Sequence, residues 1–254
     1  MGESRVLGVI PARLGSERLP RKPLHVLAGR PLLEWVWRRA ATFGVLDTLV
    51  IATDSEEVAE VARGFGARAL LTAADHPSGT DRVAEVVRGL GADFEIVVNI
   101  QGDEPFLREE QVRGAVALVR AGWPVGTLAT PVGSLEAWRD PSVVKVVRRE
   151  DGAALYFSRA PIPHRRQGPP TLEQLCGVGY LRHIGLYAYA PAALERWVTL
   201  PEGELERLER LEQLRPLAAG INIGVAVVDS APEGIDTPED AERAEKILRE
   251  MAAA

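Results

Sequence analysis

The stretch "TLVIATDSEEVAEVARGFGARALLT", residues 48–72, decides the fold. Residues 48–53 are a short apolar run that reads as a buried β-strand. Residues 54–66 follow as a capped helix, and "ARALLT" (67–72) returns as a strand. The same alternation extends in both directions. Upstream, the strand "RVLGVI" (5–10) precedes the helix "PLLEWVWRRAATFG" (31–44), with Pro31 near its start and Gly44 past its end. Downstream, "SGTDRVAEVVRGLG" (78–91) leads to the strand "EIVVNI" (95–100). Short apolar runs separated by helices predict a parallel, doubly wound α/β sheet.

The pattern changes after about residue 130. "VVKVVRRE" (143–150) and "ALYFSRAPIP" (154–163) predict hairpin strands around Asp151-Gly152. A loop rich in proline and polar residues spans 161–171, and "GLYAYA" (185–190) reads as a strand. "GELERLERLEQL" (203–214) carries Leu205, Leu208 and Leu211 at helical spacing, which predicts one buried face. "GVAVVD" (224–229) is a late strand. The final helix starts with Thr237 as N-cap, Pro238 at its first position and Asp240 at its third. The expectation is one α/β domain over residues 1–254, with an antiparallel insertion at roughly 130–190.

At 254 residues the chain can bury a large core without a disulfide or metal. Cys176 is the only cysteine, which excludes an intramolecular disulfide and fits a reducing cytoplasm. No run of about 18 apolar residues exists, so no membrane partner is expected. A net charge of -6 excludes a general nucleic-acid binder.

Against that acidic background, "VIPARLGSERLPRKPL" (9–24) gathers Arg13, Arg18, Arg21 and Lys22 around Gly15 and Ser16. Ligands of open α/β sheets sit at the carboxyl ends of the strands, and this loop leaves the first strand at such an end. Glycine and serine let backbone N–H groups approach an anion, and the cations balance its charge. A polyphosphate fits. The other reading, a solvated loop paired with surface acids, is disfavoured by the position after the first strand and by the density of charge. Neither G-x-x-x-x-G-K-[ST] nor G-x-G-x-x-G follows that strand, which excludes a Walker loop and a dinucleotide fingerprint.

In "NIQGDEP" (99–105), Asp103 and Glu104 sit at a strand end, where carboxylates suit a hard divalent cation with phosphate oxygens as further ligands; Asp103 lies too far before "REEQV" to cap that helix, and Glu104 stays open between the two readings. In "ADHPSGTDR" (74–82), Ser78, Gly79 and Thr80 either meet a nucleotide through their backbone or form a helix-start turn. No nucleophile elbow and no H-E-x-x-H spacing occurs. The chemistry expected is therefore phosphoryl or nucleotidyl transfer by positioning and charge neutralisation.

These residues resemble the 3-deoxy-manno-octulosonate (KDO) cytidylyltransferases, the CMP-KDO synthetases of Gram-negative cell-envelope synthesis. The likeness runs nearly end to end through "IPARLGSERLPRKPL", "ATDSEEVA", "ADHPSGTDR", "VNIQGDEP", "ALYFSRAPIP", "LRHIGLYAY", "LEQLR" and "IDTPEDAERA". It implies a Rossmann-like, mostly parallel fold of the nucleotide-diphospho-sugar transferase type. It also implies Mg2+ as cofactor, CTP and KDO as substrates, and a homodimer joined through the insertion. By the same resemblance Arg13 and Lys22 hold the triphosphate, helped by Ser16 and Arg18, while Ser78, Gly79, Thr80 and Gln101 lie along the nucleotide. Asp103 and Asp236 would bind the metal. For Asp236 a second helix cap is the open alternative. Arg159, His183, Tyr187, Glu212 and Gln213 would line the sugar pocket, with Gln101 and Arg82 nearby. His183 and Tyr187, four apart on a strand, would share a face. His164, Arg30 and the segment 165–180 depart from the family pattern.

Overall fold

The structure, a computed structural model, describes residues 5–15, 18–91, 94–230 and 234–253 of the 254. The chain divides into two compact units, one formed by residues 110–231 and one by the segments on either side. The insertion expected at 130–190 falls inside the former.

The flanking unit begins with β1 (Val6–Ala12), a 3-10 turn (Lys22–Leu24), β2 (Val26–Leu27), β3 (Arg30–Pro31) and α1 (Leu32–Ala40). It continues through β4 (Thr48–Thr53), α2 (Glu56–Gly64), β5 (Ala69–Leu71), α3 (Gly79–Leu90) and β6 (Ile96–Asn99). Strand β1 lies between β6 and β4, β5 flanks β4, and all three pairings are parallel. Val6, Leu7, Val9 and Ile10 are shut off from solvent, as strands with helices on both faces require. Helix α2 turns Val58, Ala59 and Ala62 inward, and the Ser55 side chain caps it by accepting the Val58 N–H at 3.4 Å.

The second unit opens in α4 (Glu109–Arg120) and runs through β7 (Val125–Pro131), α5 (Leu135–Arg139), β8 (Lys145–Arg148) and β9 (Ala154–Ser158). Then come α6 (Leu172–Leu175), β10 (Leu181–Tyr189), α7 (Pro191–Thr199), α8 (Glu204–Glu209), α9 (Leu214–Ala218) and β11 (Ile223–Val227). The last helix, α10 (Pro238–Ala253), returns to the flanking unit. Strand β7 pairs in parallel with β11 and antiparallel with β10, which pairs antiparallel with β8. The β8–β9 hairpin turns at Asp151-Gly152 as expected, with Gly152 at φ 94. A Cβ added at Gly126 would lie 2.5 Å from the Ala115 carbonyl oxygen, so α4 can pack directly on β7 only over a glycine. No helix among the described residues is long and apolar enough to cross a membrane.

Residues 203–214 depart from the expected helix. Helix α8 stops at Glu209 because Arg210 turns left-handed at φ 51, and α9 starts afresh at Leu214. The expected leucine face is also wrong, since Leu205 and Leu208 are 41% and 74% exposed and only Leu211 is buried. The inward residue is Glu206, which pairs with Arg215 through bonds of 2.6 and 2.8 Å and accepts the Gly203 N–H at 3.2 Å. A buried bidentate ion pair sets the helix rotation, and two leucines face solvent as a result.

Candidate active site

A cleft of about 1000 Å³ opens in the flanking unit, at the carboxyl ends of β1 and β6. The basic loop supplies Arg13, Arg18 and Lys22 to it, and the first turn of α3 supplies Ser78 and Gly79. Gln101, Asp103 and Asp236 complete the polar lining. Ser16 lies outside the described residues.

Lys22 joins the two acids of the cleft. Its Nζ donates to Asp236 Oδ1 at 2.8 Å and to Asp103 Oδ2. Arg18 Nη2 stands 3.1 Å from the other oxygen of Asp236. Burial works against the Lys22 ammonium, but attraction and hydrogen bonds from Asp103 and Asp236 outweigh it and hold its pKa above the usual lysine value. The backbone brings the two acids together, since the Ile235 N–H donates to the Asp103 carbonyl oxygen at 3.0 Å. Gly102 allows the chain after β6 to pass close to β1, for an added Cβ would press on the Pro11 carbonyl at 3.0 Å.

The cap of α10 does not use the Asp236 carboxylate. Thr237 Oγ1 accepts the Asp240 N–H at 3.2 Å, and the Asp240 carboxylate accepts the N–H groups of Thr237 and Asp236 at 2.9 and 3.0 Å. The helix start is thus served by Thr237 and Asp240, and the Asp236 carboxylate faces Lys22 and Arg18. Among the described residues no group of three or more His, Cys, Asp or Glu side chains could hold a metal ion. A divalent cation at Asp103 and Asp236 would draw its other ligands from substrate phosphate and water.

The turn at 78–82 is a helix start, and some of its residues also line the cleft. Ser78 caps α3, its Oγ accepting the N–H groups of Thr80 and Asp81 at 3.1 and 3.3 Å, and it lines the cleft with Gly79. Thr80 is buried. Arg82 reaches the cleft wall, but its guanidinium is buried and bound to Asp54 at 2.9 Å and to the Ala73 carbonyl at 3.2 Å. His76 was not singled out from the sequence, although its motif was. It lines the cleft and pairs with Glu85.

The remaining candidates lie in the second unit. The His183 and Tyr187 rings on β10 are 5.4 Å apart, although the ladder to β7 slips between Ile184 and Tyr187. Thr127 Oγ1 stands 2.8 Å from the Leu186 carbonyl and 3.0 Å from His183 Nε2. If its single proton goes to that carbonyl, His183 donates from Nε2 and keeps Nδ1 as an acceptor. Burial lowers the His183 pKa to about 3, so the ring is neutral at working pH. Burial, reinforced by Tyr189 and Glu212, raises the Tyr187 phenol well above its usual value. The buried Tyr187 hydroxyl has no protein partner among the described residues. Gln213 is buried, and Glu212 precedes it just past the left-handed Arg210. Arg159 spends three of its donors on backbone carbonyls, those of Pro141, Glu209 and Arg210.

Residues 7–223 match the family model for cytidylyltransferases. The chain belongs to that family. It is 49% identical to the 3-deoxy-manno-octulosonate cytidylyltransferase of Gemmatimonas aurantiaca, over 94% of this chain and 92% of the relative. The protein of the same name from Syntrophobacter fumaroxidans is 45% identical over 98% of each chain. A solved structure of CMP:2-keto-3-deoxy-manno-octonic acid synthetase complexed with CTP superposes with a TM-score of 0.89 at 39% identity, covering 98% of this chain and 100% of that one. The mixed α/β fold with a mostly parallel sheet is that of a cytidylyltransferase.

Proposed function

We propose that the chain activates KDO for lipopolysaccharide synthesis, converting CTP and 3-deoxy-D-manno-octulosonate to CMP-KDO and diphosphate. The relatives supply the substrate pair. The observation that carries the chemistry is the convergence of Lys22, Asp103 and Asp236 in one cleft. The anomeric hydroxyl oxygen of KDO attacks the α-phosphorus of CTP, the bond to the bridging oxygen breaks, and diphosphate leaves with the electron pair. The hydroxyl proton passes to solvent.

Arg13, Arg18 and Lys22 hold the triphosphate and balance the charge that gathers on the leaving diphosphate. Backbone N–H groups at Ser78 and Gly79 and the amide of Gln101 line the nucleotide. Arg82 supports the cleft wall through Asp54. Asp103 and Asp236 fit Mg2+, because two carboxylates already face one cationic centre there. When bound, Mg2+ supplies charge neutralisation at the α-phosphate and lowers the pKa of a coordinated hydroxyl. Arg159 pairs with the KDO carboxylate. Neutral His183, Tyr187, Glu212 and Gln213 serve the sugar hydroxyls.

The test is diphosphate release from CTP and Mg2+ with KDO, with N-acetylneuraminate and with a sugar 1-phosphate. Release with KDO alone is expected, and equal or greater release with either competitor would overturn the substrate assignment. We place the reaction in the cytoplasm, where a lone exposed thiol such as Cys176 stays reduced. We also propose a homodimer through the insertion, supported by the exposed apolar side chains of Leu155, Leu172 and Val178. A monomeric mass by light scattering would exclude it.

A further inference from the structure

Glu209, the last residue of α8, holds both the main chain and the guanidinium of Arg159. Its Oε2 accepts the Arg159 backbone N–H at 2.9 Å. Its Oε1 accepts the Ser158 hydroxyl at 2.6 Å and the Tyr156 hydroxyl at 3.4 Å. Its carbonyl oxygen accepts Arg159 Nε at 2.8 Å, and the next carbonyl, of Arg210, accepts Nη2 at 3.3 Å. From the other side of the same residue, buried Lys145 donates to the Arg159 carbonyl at 2.7 Å. Glu209 also ends the helix at the left-handed Arg210, from which the chain leads to Glu212 and Gln213. A carboxylate with several donors makes shorter and stronger bonds than a neutral acceptor, and fixed carbonyls hold a planar guanidinium in one orientation.

We propose that Glu209 is a positioning residue for the sugar-acid site. It locks Arg159 to the turn that carries Glu212 and Gln213, so recognition of the substrate carboxylate depends on a second carboxylate that does not meet the substrate. This rests on the reading of Arg159, Glu212 and Gln213 as KDO-binding residues.

The experiment compares Glu209→Ala, Glu209→Gln, Arg159→Ala and the Glu209→Ala/Arg159→Ala double variant. KM for KDO and for CTP are measured, with CTP affinity by calorimetry. Glu209→Ala should raise KM for KDO about tenfold or more, the loss of one or two charge-assisted bonds. CTP affinity should stay within about twofold, because the carboxylate's partners Tyr156, Ser158 and Arg159 do not line the nucleotide cleft. Glu209→Gln should recover most of the loss, since its amide oxygen can accept the Arg159 N–H while its NH2 donates to the Ser158 hydroxyl. The double variant should bind KDO no worse than Arg159→Ala. An unchanged KM for KDO in Glu209→Ala beside a raised one in Arg159→Ala would overturn the inference alone. So would additive losses in the double variant, or equal losses for both substrates. An unchanged KM for KDO in Arg159→Ala would overturn the underlying reading as well. If Glu209→Ala does not fold, Ser158→Ala removes one donor to the carboxylate and should raise KM for KDO about threefold; no rise would overturn the proposal.

Discussion

Lys22→Met should move two ligands in opposite directions. The Lys22 ammonium touches both carboxylates proposed for Mg2+, so a divalent cation arriving without nucleotide has to displace it. Each such contact, as a hydrogen bond between charged groups, is worth about 1.5–3 kcal/mol when well enclosed. The side chains here are 15%, 26% and 43% exposed for Lys22, Asp103 and Asp236, and solvent screening reduces that figure. A net barrier of about 1–2 kcal/mol to metal binding remains, a factor of about 5 to 30. Mn2+ titration followed by electron paramagnetic resonance, without CTP, should therefore show tighter binding in Lys22→Met by about tenfold. CTP affinity measured without metal should fall by about tenfold or more, because one cation of the triphosphate cradle is lost. A general folding defect would weaken both ligands. Unchanged or weaker Mn2+ binding in the variant would refute the view that lysine and metal compete for the same two carboxylates.

Asp103→Asn and Asp236→Asn keep the shape of the cleft and remove one charge each; both should reduce turnover by about a hundredfold or more while leaving metal-free CTP binding in place, as calorimetry can check. Gly126→Ala should destabilise the fold by about 1–3 kcal/mol in urea titration, because the new methyl meets the Ala115 carbonyl at 2.5 Å and the Leu118 Cβ at 2.9 Å. His183 carries a sign that can be read in stability against pH. Its folded pKa of about 3 lies below the ordinary 6.5, so between these values the unfolded chain binds a proton that the folded chain refuses. Stability should fall as pH drops through that window, by up to about 1.4 kcal/mol per pH unit, and the slope should be smaller in His183→Gln. Parallel curves for the two proteins would contradict the buried neutral ring.

The repeating strands and helices were legible because each carries its own signal. Strand β4 occupies residues 48–53 as read from its apolar run, and the capping pattern at Thr237 and Asp240 is formed as read. Strand β7, "VGTLATP", has no such run and was not read as a strand. Its buried Thr127 is accommodated only because the Leu186 and Ile184 carbonyls lie within reach of the hydroxyl, a condition that no local pattern contains. The leucines of 203–214 satisfied the rule for a buried helical face, yet the Glu206–Arg215 pair outweighed them. The residues that line the cleft at β1 and β6 include several singled out from the sequence, but their meeting could not be read there. Lys22 is 81 positions from Asp103 and 214 from Asp236, and a backbone hydrogen bond at Ile235 brings those acids together.

Arg159 shows most clearly what sequence leaves out. Its position in "FSRAPIP" gives a cation, and a cation alone would attract any anion. The structure adds three backbone acceptors, at 2.8, 2.9 and 3.3 Å, that hold the guanidinium before a ligand arrives. A fixed guanidinium loses little side-chain freedom on binding, a term of about 0.5–1.5 kcal/mol for a mobile side chain. It also meets a planar carboxylate in one orientation only, so a ligand must bring that group at the right angle. On the proposed role of Arg159, selectivity for a sugar acid over a phosphate or a diffuse anion would follow from the carbonyls and the Glu209 carboxylate around the arginine. Lys at the same position would keep the charge and lose the fork. Arg159→Lys should therefore give up selectivity between KDO and other anionic sugars sooner than it gives up binding, and a variant equally selective in competition assays would place the discrimination elsewhere.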